Sequence, residues 1–95
     1  MGPSEAMRTV RVRISGRVQG VFFRTSCARV AEDLGVAGWV RNLLVGDLEA
    51  VFQGTDRAVE DMLAWCRKGP PHARVERVEV QDEPAFPDTG FRIER

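Results

Sequence analysis

The residues best suited to chemistry run from Gly16 to Arg24, in the order Gly16-Arg17-Val18-Gln19-Gly20-Val21-Phe22-Phe23-Arg24. Two glycines bracketing a short connection let a backbone turn sharply and approach a ligand without a Cβ in the way. A helix that starts just after the connection aims unpaired N–H groups and the positive end of its dipole back into it, which makes an anion site. Arg24 falls in the first turn of that helix, where a cation is locally unfavourable by a few tenths to about 1 kcal/mol. No acidic residue occurs between Ala6 and Ala31 to offset it, whereas Arg8, Arg11, Arg13, Arg17, Arg24 and Arg29 all fall there. An external anion resolves the conflict, and a guanidinium grips two phosphoryl oxygens with a geometry that lysine lacks. The expected cradle is the backbone of Arg17, Val18, Gln19, Gly20, Val21 and Phe22 together with the Arg24 side chain.

The elements that must hold this cradle can be read from periodicity. Val10, Val12 and Ile14 alternate with Thr9, Arg11 and Arg13, a period of two that predicts a first strand with one buried face. Phe23, Cys27, Val30 and Leu34 recur at helical spacing, and Gly35 stands where that helix should stop. Val36 to Leu43 and Leu48 to Gln53 read as two further strands with Gly46-Asp47 as the turn. Thr55 is placed to cap a second helix, whose apolar stripe is Val59, Met62, Leu63 and Cys66 and which Gly69-Pro70-Pro71 ends. Val75 to Val80 reads as a fourth strand in which the apolar positions slip parity once, a sign of a bulge or a shifted register. Phe91 to Ile93 reads as a short closing strand after the Pro84 to Pro87 loop.

This order predicts an α+β fold of the ferredoxin-like βαββαβ type, an antiparallel-dominated sheet with two helices on one face. The crossover through the first helix makes the second strand parallel to the first, so both finish at the same end of the sheet. The loop after Gly16 and Asn42 should therefore meet at one edge, beyond the carboxyl ends of parallel strands.

Composition narrows the function classes. A chain of 95 residues, 43% of them hydrophobic, suits one core, read as residues 7–95 behind a disordered tail over 1–6. No apolar run approaches the roughly 20 residues of a membrane span, and Met1 to Ala6 lacks the features of a leader, so a cytoplasmic protein without membrane contact is expected. A formal net charge of zero argues against nucleic-acid partners, as does the lack of outward aromatic residues on the central strands, where Phe52 shares the parity of Leu48 and Ala50. Cys27 and Cys66 are expected as reduced core thiols, and His72 is the lone histidine, so no metal or cofactor is assigned. No Gly-Lys-Ser/Thr triplet is present, and the sixth residues after Cys27 and Cys66 are Asp33 and His72 rather than arginine. Nucleotide-kinase and cysteine-phosphatase chemistries are thereby set aside.

The string Gly16-x-Val18-Gln19-Gly20-Val21-x-Phe23-Arg24 resembles the first signature of the acylphosphatase family, and Gly38-Trp39-Val40-Arg41-Asn42 with Gly46 and Gly54 resembles the second. The likeness in element order extends over nearly the whole chain from Met7. It implies hydrolysis of small acyl phosphates to a carboxylate and inorganic phosphate, with Arg24 and Asn42 as the catalytic pair. Val45 and Leu48 depart from the family pattern, which often has an acidic residue and a valine there, and they put the conformation of the hairpin turn in question. The competing readings on the same fold are a phosphate- or RNA-binding module and an accessory domain of a larger carbamoyl-transferring protein. A monomer is expected.

Overall fold

The computed structural model describes residues 6–95. The order is β1 (Met7–Arg17), α1 (Phe23–Leu34), β2 (Ala37–Asn42), β3 (Leu48–Thr55), α2 (Asp56–Lys68), β4 (Arg74–Asp82) and β5 (Phe91–Ile93). The strands form one sheet in the order β4-β1-β3-β2-β5. Of the tail expected over 1–6, residues 1–5 lie outside the described part. The sixth is tied down, since the Ala6 carbonyl accepts the Asp56 N–H at 2.9 Å.

Alternation sets which side of the sheet is dry. Val10, Val12 and Ile14 of β1 and Leu48, Ala50 and Phe52 of β3 are fully buried against Phe23, Cys27 and Ala31 of α1 and Val59, Met62 and Leu63 of α2. Phe23 meets the edge of Trp65 at 5.2 Å between ring centres, and Phe52 stacks on Phe91 at 5.9 Å. Cys27 and Cys66 are both buried free thiols in this layer. A hydrogen bond between them, reinforced by burial, pushes the Cys27 thiol well above its ordinary pKa.

The opposite side of the sheet carries ion pairs instead of helices. Arg11 bonds Glu49 at 2.7 Å and Glu83 at 2.8 Å, Arg41 bonds Glu49 at 2.6 Å, and both guanidiniums lie over the Trp39 ring. Burial raises the Glu49 pKa, but the hydrogen bonds from Arg41 and Arg11 outweigh it and hold this carboxyl below its usual range. The cationic stretch read from the sequence is thus largely matched in space, because Arg8 also meets Glu60 and Arg13 meets Asp47.

The parity slip in β4 is a bulge. Ser15 pairs with Arg77 but Gly16 pairs with Val75, so Glu76 is the extra residue. Gly16 is required here for a different reason from the one expected. At φ 125° a Cβ would run into the Arg74 carbonyl, so the close approach that Gly16 allows is to β4 rather than to a ligand. Leu48 occupies a fully buried core position at the start of β3, and Val45 stands out in solvent. The hairpin between them is closed by Leu43 N–H to the Asp47 carbonyl at 2.8 Å and Gly46 N–H to the Leu43 carbonyl at 3.1 Å. The turn therefore takes in Leu43 to Asp47, wider than the Gly46-Asp47 pair expected.

Candidate active site

The register brings the loop and Asn42 to one end of the sheet. Ile14 of β1 and Asn42 of β2 both face Leu48 of β3, from opposite sides, so β2 ends level with Ile14 while β1 runs on to Arg17. Arg17 is the last residue of β1, paired with Arg74, and Val18 to Phe22 form the loop itself. A cavity of about 240 Å³ takes its walls from Val18, Gly20 and Phe22 of that loop, from Phe23, Arg24 and Thr25 in the first turn of α1, and from Asn42. Arg17, Gln19 and Val21 do not line it.

The two helix starts are built differently. At α2, Thr55 Oγ1 accepts the Ala58 N–H at 3.1 Å and Asp56 lies in the first turn, so this end is capped and its dipole is answered from within. The start of α1 has neither device: Phe22 makes no side-chain cap, and no acidic residue lies in the first turn. The earliest helical bond here is Ser26 N–H to the Phe22 carbonyl at 3.1 Å. Among the described turn and loop bonds, none is donated by a backbone amide from Val18 to Thr25. Of these residues, Val18, Gly20, Phe22, Phe23 and Thr25 line the cavity together with Arg24, which makes no ion pair among the described residues. An unanswered helix dipole, free amides and an unpaired guanidinium at one end of a helix are the features that suit an anion.

Asn42 stands out for a different reason. Its Oδ1 is buried and has no hydrogen-bond partner among the described groups, and the residue lines the cavity. A buried acceptor without a partner is costly, and a ligand or water that brings an O–H removes the cost.

The sequence gave no sign of how the loop is registered against Asn42. The Gln19 side chain does this, donating from Nε2 to the Leu43 carbonyl at 2.7 Å and to the Asp47 carbonyl at 3.0 Å. One amide thus fastens the loop to the β2–β3 hairpin immediately after Asn42. The glycine at 20 serves the backbone: its φ is 75°, and an added Cβ would meet nothing within 4 Å. Among the described residues no three His, Cys, Asp or Glu side chains gather to hold a metal ion, and no helix is long and apolar enough to cross a membrane.

Comparison with known proteins agrees with this geometry. Residues 10–93 match the family model described as Acylphosphatase. The chain is 59% identical to an acylphosphatase of Rubrobacter xylanophilus, an alignment covering 98% of this chain and 86% of that protein. Among solved structures, an acylphosphatase from Coxiella burnetii superposes with a TM-score of 0.89 at 38% identity, covering 93% of each chain. HypF of Thermococcus kodakarensis superposes at 0.80 with 30% identity, but over 93% of this chain and 12% of that one. The matched region runs from β1 through the cavity and Asn42 to β5, and on this likeness of sequence, fold and length the chain belongs to the acylphosphatase family.

Proposed function

We propose that this acylphosphatase cleaves the carboxyl–phosphate bond with Arg24 and the Val18 to Phe22 amides holding the phosphoryl group and Asn42 aiming the attacking water. The family's reaction releases a carboxylate, which departs at neutral pH without a general acid. The protein is then left to neutralise the phosphoryl charge, fix its position and orient a water in line with the leaving oxygen. Arg24 and the amides provide the first two. Asn42 provides the third, because its amide accepts an O–H without itself titrating. The unpartnered Oδ1 of Asn42, a residue that lines the same cavity as Arg24, is the observation that carries this division of labour.

With no Asp, Glu or His lining the cavity, the substrate phosphate itself takes up the water's proton. A turnover profile governed by a protein group titrating near neutral pH would count against this step. The direct test is hydrolysis of benzoyl phosphate in the presence of a chelator, with inorganic phosphate as a competitive inhibitor. Turnover that stops with chelation overturns the metal-free reading.

The net charge of zero supports a small-molecule substrate over nucleic acid. The ion pairs on the sheet's uncovered side, in place of an apolar patch, support action as a monomer. Sizing chromatography at working concentration tests the monomer.

A further inference from the structure

Phe22 brings to the cavity a large apolar side chain that the fold does not bury. It is the only non-glycine residue with positive φ among the described residues, at φ 62° and ψ 25°, a conformation that disfavours bulky side chains. It also occupies the N-cap position of α1 without capping it. Asparagine would suit both the backbone angle and the cap. The phenyl ring is instead 80% exposed on the rim of the cavity, outside the hydrophobic core. An aromatic ring held in water by a strained backbone, beside a site for the phosphoryl end of a substrate, is placed to meet the rest of that substrate.

The direction of attack decides which part it meets. Water and departing carboxylate lie on opposite sides of phosphorus in an in-line displacement. Arg24, Thr25 and Asn42 line both this cavity and a second cleft that Ile93 and Arg95 complete and Phe22 does not reach, so the phosphoryl site lies between two mouths, with Phe22 at one and Ile93 at the other. The ring at the Phe22 mouth suits the acyl group, which leaves the Ile93 mouth to the water. We infer that the Phe22 ring is the platform for the acyl half of the substrate and selects aromatic and other apolar acyl phosphates over small or anionic ones. This assignment rests on Arg24 and Asn42 acting as proposed above.

The test compares kcat/KM for benzoyl, acetyl and succinyl phosphate in the wild type, Phe22→Asn, Phe22→Leu and Ile93→Ser. Phe22→Asn suits the left-handed backbone, and any amide that its side chain caps at the start of α1 is lost to all three substrates alike, so the ratio between substrates still reads the ring. It is expected to lower the benzoyl-to-acetyl ratio roughly threefold to tenfold, the worth of one aromatic contact, with Phe22→Leu in between. An unmoved ratio, an equal proportional loss for all three substrates, a larger shift in Ile93→Ser, or a wild-type preference for the succinyl compound overturns the acyl assignment while leaving the hydrolase reading intact. A wild-type protein inert toward all three overturns both.

Discussion

Gln19 offers the sharpest test of how the site is assembled, because its side chain reaches from the phosphate loop to the hairpin that carries Asn42. Gln19→Ala removes two hydrogen bonds, of 2.7 and 3.0 Å, and leaves the Leu43 and Asp47 carbonyls one donor short. Each such bond contributes about 1 kcal/mol net, and partial solvent access at Gln19 lets water replace some of it, so the loss of stability should be about 1–2 kcal/mol. For a domain of this size that is a fall in Tm of roughly 5–15 °C. The kinetic effect should exceed what stability accounts for. A displacement of about 1 Å between Asn42 and the phosphoryl group is enough for a tenfold to hundredfold loss in kcat. Arg24 and its amides stay on the other side of the broken link, so inhibition by inorganic phosphate should weaken far less than kcat. Gln19→Glu should be worse on both counts: it turns carboxylate oxygens toward two carbonyls and sets a negative charge beside the anion site. The assays are thermal unfolding and benzoyl phosphate turnover with phosphate as inhibitor, all below the lowered Tm. A Gln19→Ala protein that melts earlier yet keeps wild-type kcat and KM would refute the claim that this side chain registers Asn42.

Arg24→Ala should raise KM and the phosphate inhibition constant and lower kcat, by tenfold or more in kcat/KM, roughly the worth of one charged hydrogen bond; unchanged phosphate inhibition removes Arg24 from the anion site. Asn42→Ala should cut kcat roughly a hundredfold with phosphate inhibition nearly intact, and equal losses in both would mean that Asn42 binds rather than aims. Glu49 and Glu83 titrate below the ordinary value of 4.5 in the folded protein, each held down by hydrogen bonds from arginine. Their contribution is therefore present above that unfolded value and is lost as pH falls through the depressed folded values. The urea midpoint should fall on acidification through this window, and Glu49→Gln should flatten the decline; a parallel decline in the variant would exclude Glu49 as a source. At Gly38, φ is 137° and an added Cβ would collide with the Val51 carbonyl. Gly38→Ala should cost roughly 1–3 kcal/mol from backbone strain alone, measured by denaturant unfolding, and a smaller loss would mean that β2 shifts to accommodate it.

Much of the framework was legible because it depends on period and punctuation. The spacing of Phe23, Cys27, Val30 and Leu34 and the left-handed Gly35 delimit α1, with Val30 and Leu34 against the core rather than within it. Thr55 caps α2 as its residue type implies. Crossover topology alone placed Asn42 at the same sheet end as the loop, which is how the register has it. What escaped depends on side chains meeting across long sequence separations. The Gln19 link spans 24 and 28 residues, and its two acceptors are carbonyls, which carry no residue signature. The basic stretch is unbalanced only along the sequence, because the partners of Arg8, Arg11 and Arg13 come from α2, from β3 and the turn before it, and from Glu83 just after β4. Gly16 was assigned the right freedom but the wrong neighbour, since only the bulge at Glu76 brings the Arg74 carbonyl against it.

The strands at the two margins of the sheet bear on how the protein behaves when crowded. β4 is studded with Arg74, Glu76, Arg77, Glu79 and Asp82, all exposed, and its extra residue at Glu76 breaks the regular spacing of the ladder. An arriving strand would have to dehydrate these ions and match an uneven row of donors and acceptors. β5, on the far margin, has three residues, too few to template a lasting partner. Fibril growth by recruitment of further copies is thus impeded at both flanks, which lets a small enzyme with an uncovered sheet accumulate without coagulating.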